Sequence, residues 1–285
     1  MKKKAYAKIN LSLNVTNKNK PNGLHDLDMI NVCITLKDDI SIKFIKDNNS
    51  KINITSNNKD MPCDENNLVY KVVEKFNKTF NKTESVSIFI NKKIPLNAGL
   101  AGGSSNASCL LNALDEHYKT RLTPSQKINF IKDITSDGPY MLFQTPCRVK
   151  GAGQIISPIK TSFKGKILIV KPFKGCVTKD VFASLDYKNL THPNANKLQQ
   201  ALEENDYELL SKHIGNSLTE SAKKINDQIE DVLNRLTVCG FEIVGMSGSG
   251  STCFAMSKNP ICFKRAKEIL NPKKYDFIGI YKIKN

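Results

Sequence analysis

Eleven consecutive residues, Pro95-Leu96-Asn97-Ala98-Gly99-Leu100-Ala101-Gly102-Gly103-Ser104-Ser105, combine three glycines with two closing serines. Glycines adopt positive φ and let a backbone approach a ligand closely. Successive N–H groups in such a loop form a concavity suited to anions. The stretch follows an alternating segment, Ser85–Ile90, and opens into Ser105–Tyr118. There Ala107, Leu110, Leu111 and Leu114 share one helical face. A helix starting at the glycines would add unpaired N–H groups and the positive end of its dipole. The Ser104 and Ser105 hydroxyls could donate to a phosphate or reach a magnesium ion. The plain alternative is a flexible turn capped by Ser104, and glycine content alone does not separate the two. No Lys follows the glycines, so this is neither G-x-x-x-x-G-K-[ST] nor G-x-G-x-x-G.

Pro95-x-x-Ala98-Gly99-Leu100-Ala101-Gly102-Gly103-Ser104-Ser105-Asn106-Ala107 resembles the central motif of the GHMP kinases, the family of galactokinase, homoserine kinase, mevalonate kinase and phosphomevalonate kinase. Ala7-Lys8-Ile9-Asn10-Leu11 resembles the family's first motif, and Gly245-Met-Ser-Gly-Ser-Gly-Ser251 its third. The three stand in the family's order and span the chain. The likeness is greatest to the branch whose alcohol substrate carries a cytidine diphosphate. It rests on Ala7–Leu13, Gly23-Leu24-His25-Asp26, Ser136-Asp137-Gly138-Pro139-Tyr140, Gly151-Ala-Gly-Gln154 and Val177-Thr-x-x-Val181-Phe182.

The resemblance implies an α+β, two-domain kinase with mixed or antiparallel sheets and the active site in the cleft between domains. It implies ATP and Mg2+, with Pro95–Ser105 on the nucleotide phosphates and Asn66 near adenine. The implied reaction phosphorylates the 2-hydroxyl of 4-diphosphocytidyl-2-C-methyl-D-erythritol, a step of the non-mevalonate isoprenoid route. Another small-molecule kinase of the family, of homoserine or mevalonate type, is the alternative. Asp137 would be the base that takes the hydroxyl proton, with Lys8 beside it stabilising charge on the transferring group. Asn10 would bind substrate hydroxyls, His25 the cytosine edge, and Phe182 the cytosine face. Each residue also has an ordinary reading: a turn before Pro139 for Asp137, a solvated strand face for Lys8, an inward structural amide for Asn10, a loop position for His25, a core aromatic for Phe182, and a helix cap for Asn66 or Asn67. Ser104 and Ser105 are the candidates for a metal ligand, and the magnesium ligands stay unassigned. Leu24 stands where the pattern has Tyr, Thr135 where it has Gly, Gly138 where it has Val or Ile, and Gln154 where it has Glu.

The elements that must carry these residues are legible in outline. Residues 5–15, 39–45 and 51–55 alternate as half-buried strands, with a loop over Asn17–Gly23. Asn66–Phe80 changes to helical spacing through Leu68, Val72, Val73 and Phe76. Pro124–Ile134 reads as a helix capped by Thr123 with Pro at its first position. In the second half, Lys166–Lys171, Phe241–Gly245, Cys253–Met256 and Phe277–Ile283 read as strands. Asn196–Asn205, Asp206–Ser217 and Asp227–Cys239 read as helices. Strands and helices lack a regular βαβ rhythm, which favours α+β. The expected division is 1–157 and 158–285, at Ser157-Pro158.

Composition narrows the function classes. Apolar residues make up 40% of 285, enough to build a core. The net charge of +16 comes from lysines scattered along the chain. Lys/Asn-rich composition explains it first, steering of an anionic ligand second. No basic run is interleaved with aromatics, so no nucleic-acid partner is expected. The expected partner is instead a small cytidine diphosphate compound, and the oligomeric state is left open. The eight cysteines form neither a C-x-x-C pair nor a zinc pattern, and they read as reduced thiols of a cytoplasmic protein. No apolar run reaches the roughly 18 residues of a membrane span, so no membrane partner is expected.

Overall fold

The computed structural model describes residues 1–17 and 25–284. The loop expected beyond Asn17 and the Leu24 position lie outside the described residues. In chain order the elements are β1 (Lys2–Asn17), β2 (Asp26–Ile45), β3 (Ile52–Ser56), α1 (Leu68–Phe80), β4 (Ser85–Asn91), α2 (Gly102–Tyr118), α3 (Pro124–Ile131), α4 (Gly138–Met141), β5 (Cys147–Gly151) and β6 (Ile155–Pro158). There follow β7 (Lys166–Lys171), α5 (Thr178–Ala183), α6 (Ala195–Glu204), α7 (Tyr207–His213), β8 (Gly215–Asn216), α8 (Thr219–Ile225), α9 (Gln228–Val238), β9 (Ile243–Met246), β10 (Cys253–Met256), α10 (Pro260–Ile269) and β11 (Phe277–Lys284). Parallel and antiparallel pairs mix with helices, so the α+β reading holds.

The chain forms two compact units that it enters and leaves repeatedly. The first comprises residues 1–7, 36–96 and 101–144. Here the second part of β2 pairs antiparallel with β4, from Asp39 opposite Asn91 to Ile45 opposite Ser85. β3 pairs parallel with β4. Against these strands α1 buries Val69, Val72, Val73 and Phe76, and α2 buries Ala107, Leu110, Leu111 and Leu114. Each large side chain so buried contributes about 1.5–3 kcal/mol. Asn67, not Asn66, caps α1, accepting from the Val69 N–H. Thr123 and Gln126 close a capping box on α3, with Pro124 in its first turn. α3 ends at Ile131, three residues before the expected end, in turns that lead to Asp137.

The second unit comprises residues 8–35, 97–100 and 145–285. β11 pairs antiparallel with β7, β7 with β10, and β10 with β9. β11 also meets β2 at Ile34 and Cys33. The first part of β2 pairs with β5, and β8 adds to β1 in parallel at Ser12 and Leu13. The single helix expected over 206–217 is instead α7 followed by β8, because the chain turns at Ile214 into extended backbone.

β1 and β2 explain what period-2 patterning misses. On β1 the apolar residues Ala5, Ala7, Ile9, Leu11, Leu13 and Val15 are buried, as alternation predicts. Yet the intervening Lys8, Asn10 and Ser12 are buried too. β2 begins at Asp26, well before the expected 39. Met29 through Ile34 are buried on both faces, so no alternation marks this stretch.

Candidate active site

Three motifs far apart in sequence meet in the second unit. β1 supplies Lys8 and Asn10. The Lys8 N–H donates to the Leu100 carbonyl at 3.1 Å, tying β1 to the glycine-rich loop. The Ser247 hydroxyl accepts from the Asn10 N–H at 3.3 Å and donates to the Gly99 carbonyl at 3.0 Å. One serine of the late glycine stretch thus joins the first motif to the second. Gly99 has φ +69°, and a Cβ there would stand 2.4 Å from the Ser247 carbonyl oxygen. Only glycine fits that approach. Asn216 holds the late stretch from the other side, donating to the Met246 and Gly248 carbonyls at 2.9 and 2.8 Å.

Lys8 is 3% exposed, and its ammonium donates to Asn10 Oδ1 at 2.6 Å. Asn10 Nδ2 donates in turn to Asn31 Oδ1 at 2.7 Å. Asn10 therefore spends both ends of its amide inside the protein. Nearby in sequence, His25 Nε2 lies 2.7 Å from the Tyr187 hydroxyl. Its ring stands 4.6 Å from that of Phe182. Burial holds the His25 imidazole below its ordinary value of 6.5, favouring the neutral ring near pH 7. Tyr187 and Asn31 escaped the sequence reading. Neither lies in a motif, and their roles follow only from what folding brings beside them.

In the first unit, α2 begins at Gly102, three residues before the expected Ser105, so the glycines belong to the helix itself. Its N-cap, Ala101, has φ +55° and offers no side chain to the first-turn amides. A Cβ on Gly102 would lie 3.0 Å from Ile94 and 3.2 Å from Lys92 Nζ. That ammonium is buried and paired with the buried Asp38 at 2.6 Å. Asp38 also accepts from the Lys93 and Ile94 amides and from Asn106 Nδ2. The pair anchors the segment entering the loop to the first turns of α2. Ser105 Oγ is buried and has no hydrogen-bond partner among the described residues.

The segment carrying Asp137 is fastened to the same helix at two points. Ser104 Oγ and Thr135 Oγ1 are 2.6 Å apart, and Ser108 Oγ donates to the Gly138 carbonyl at 2.9 Å. Asp137 is part-buried at the start of α4 and caps none of its amides. The two departures flanking it are coupled. A Cβ on Gly138 would come within 2.8 Å of both the Thr135 methyl and Ile131. The Thr135 methyl fills space that a side chain at 138 would need. Asn66 lies in the first unit, is exposed, and its N–H donates to Asp64 Oδ1 at 2.9 Å.

Chemically, the first unit offers the uncapped amides of α2 and a carboxylate on a pinned turn, and the second unit offers a buried ammonium and an aromatic group around His25. Among the described residues no three His, Cys, Asp or Glu side chains gather as metal ligands. No described helix is long and apolar enough to cross a membrane.

This fold, with these motifs on it, is that of a GHMP kinase: residues 67–139 match the GHMP kinases N terminal domain and residues 198–276 the GHMP kinases C terminal, and the chain belongs to that family. The relatives point to one member. A 4-diphosphocytidyl-2-C-methyl-D-erythritol kinase of Clostridium perfringens is 36% identical over 99% of this chain and 96% of its own length. One of Lachnoclostridium phytofermentans is 36% identical over 92% and 90%. A crystal structure of 4-(cytidine 5'-diphospho)-2C-methyl-D-erythritol kinase superposes with a TM-score of 0.82 at 22% identity, covering 100% of both chains, and establishes the shared fold.

Proposed function

We propose that this protein phosphorylates the 2-hydroxyl of 4-diphosphocytidyl-2-C-methyl-D-erythritol at the expense of ATP, in the non-mevalonate isoprenoid route. The observation that carries this reading is the Ser247 bridge, which ties the Asn10 strand, the Gly99 loop and the late glycine stretch into one constellation. The full-length relatives at 36% identity bear the name of that kinase.

The protein's groups suit the chemistry. ATP with Mg2+ supplies the phosphoryl group and offsets its charge. The residues assigned to it are Pro95–Ser105, with Asn66 near the base. The uncapped amides of α2 and the unpartnered Ser105 hydroxyl fit a polyanion with a hard cation. Asp137 takes the proton from the attacking hydroxyl. Lys8 stabilises negative charge at the transferring group from a buried, water-poor position. His25, aided by Tyr187, hydrogen-bonds the cytosine edge, and Phe182 offers a ring for its face. Asn10 holds Lys8 through Oδ1, whose second lone pair is available to a substrate hydroxyl. By sequence, residues 1–157 form the family's N-terminal domain and 158–285 its C-terminal one, in keeping with matched regions on either side of Ser157.

The test is a coupled assay of ADP release with the cytidyl alcohol, homoserine and mevalonate, each at equal concentration. Turnover of the cytidyl compound alone is expected. Turnover of homoserine or mevalonate without it sinks the reading and leaves a different small-molecule kinase.

A further inference from the structure

Asn31 lies in a stretch of β2 that is otherwise apolar and buried from Met29 to Ile34. It is itself fully buried. A carboxamide is costly in such a place unless its donors and acceptor are all matched. Here they are not. Asn31 Oδ1 accepts from Asn10 Nδ2, while Asn31 Nδ2 has no partner among the described residues. Met29 Sδ, 3.5 Å from Asn10 Nδ2, is the other neighbour of that amide. The direction of every bond in the row follows from one fact. The Lys8 ammonium can only donate, so Asn10 must turn its oxygen to it. The Asn10 NH2 then faces β2 and needs an acceptor. Asn31 supplies one, and its own NH2 is left over. An apolar residue at 31 would remove the leftover donor but also the acceptor that sets the Asn10 amide.

We infer that Asn31 is a positioning residue for the phosphoryl-transfer step: through Asn10 it fixes the acceptor that holds the Lys8 ammonium in place. The inference rests on the role proposed for Lys8 and deepens it. Asn31 touches no reacting atom in this scheme. Its effect is on the orientation of one lysine, where small displacements are expressed in rate and scarcely in binding.

The experiment compares Asn31→Leu, Asn31→Asp, Asn10→Ala and the Asn10→Ala/Asn31→Leu double variant, each shown to be folded by its thermal transition. Asn31→Leu is expected to lower kcat by about 10- to 100-fold while both KM values stay within about threefold. Asn31→Asp keeps an acceptor toward Asn10 and should recover most of the loss. The double variant should be no slower than Asn10→Ala, because nothing remains for Asn31 to orient. A kcat for Asn31→Leu within about threefold of the unaltered protein, or losses that multiply in the double variant, overturns the inference. A crystal structure of Asn31→Leu reads the same point without any substrate. The Lys8–Asn10 contact should open beyond about 3.5 Å, and its persistence at 2.6 Å overturns the inference. If the unaltered protein phosphorylates none of the alcohols, the proposed function fails, and the crystal structure alone decides the role of Asn31.

Discussion

Two residues carry the sharpest predictions. Asp137→Asn keeps the shape of the side chain and removes the proposed base. It should lower kcat by about 100- to 10,000-fold while leaving the melting temperature nearly unchanged. Unaltered turnover in the coupled assay would show that Asp137 is not the base. His25 gives a pH signature. Its imidazole is held below 6.5 by burial, so the folded protein binds that proton less tightly than the unfolded chain. The associated stability is present above pH 6.5 and is lost as pH falls through the lowered value. Recognition that uses the neutral ring follows the same direction. KM for the cytidyl alcohol should be flat from pH 7 to 8 and rise on acidification below about 6.5, and His25→Gln should abolish that rise. A KM that falls on acidification would exclude the neutral ring as the recognition group. Lys8, Asp137, His25 and Phe182 could be nominated from sequence because each sits in a motif. Tyr187 and Asn31 were not, since a hydroxyl or an amide without a motif gains meaning only from its neighbour in space.

At the scale of elements, the glycine-rich segment is where local code and packing agree. Gly99 needs its positive φ, and the Ser247 carbonyl excludes a side chain. The Asp38–Lys92 pair beside Gly102 was invisible in sequence, where both residues read as members of a dispersed charge population. It is buried on both sides and hydrogen-bonded to two amides and to Asn106. Lys92→Met leaves the Asp38 carboxylate buried without its cation. The expected loss is about 3–5 kcal/mol in denaturant unfolding, with a raised KM for ATP if the loop moves. A loss below about 1 kcal/mol would mean that water reaches the carboxylate once its cation is gone. Helices with a single apolar face and a capping residue, α1 and α3, were foreseen nearly in full. β2 was half seen, because a strand covered on both faces has no alternation to read. α4, β5, β6, α5 and α8 escaped for a related reason: they are too short to show a period.

At the scale of the whole molecule, the two units share the chain in alternating pieces. The second unit draws β1 from Lys8 onward, the first part of β2, and β5 and β6 from the part of the chain up to residue 158. A fragment of residues 158–285 therefore lacks the partner of β8 on β1 and the partner of β11 on β2. Such a fragment should show no cooperative thermal transition on its own, by circular dichroism, whereas the full chain should. A sharp transition in the fragment would mean that β7, β9, β10 and β11 with their helices suffice for a stable core. The sequence by itself determined the family and the α+β class, and it located the motifs on which the phosphate-binding segment and the reactive residues are proposed. Those properties are written in local spacing and in motifs whose residues are contiguous. Tertiary structure alone decided which polar groups are buried, which cations are paired, and that Ser247 joins three distant motifs. Those outcomes depend on contacts between residues up to 237 positions apart, and no window along the chain contains both ends of such a bond.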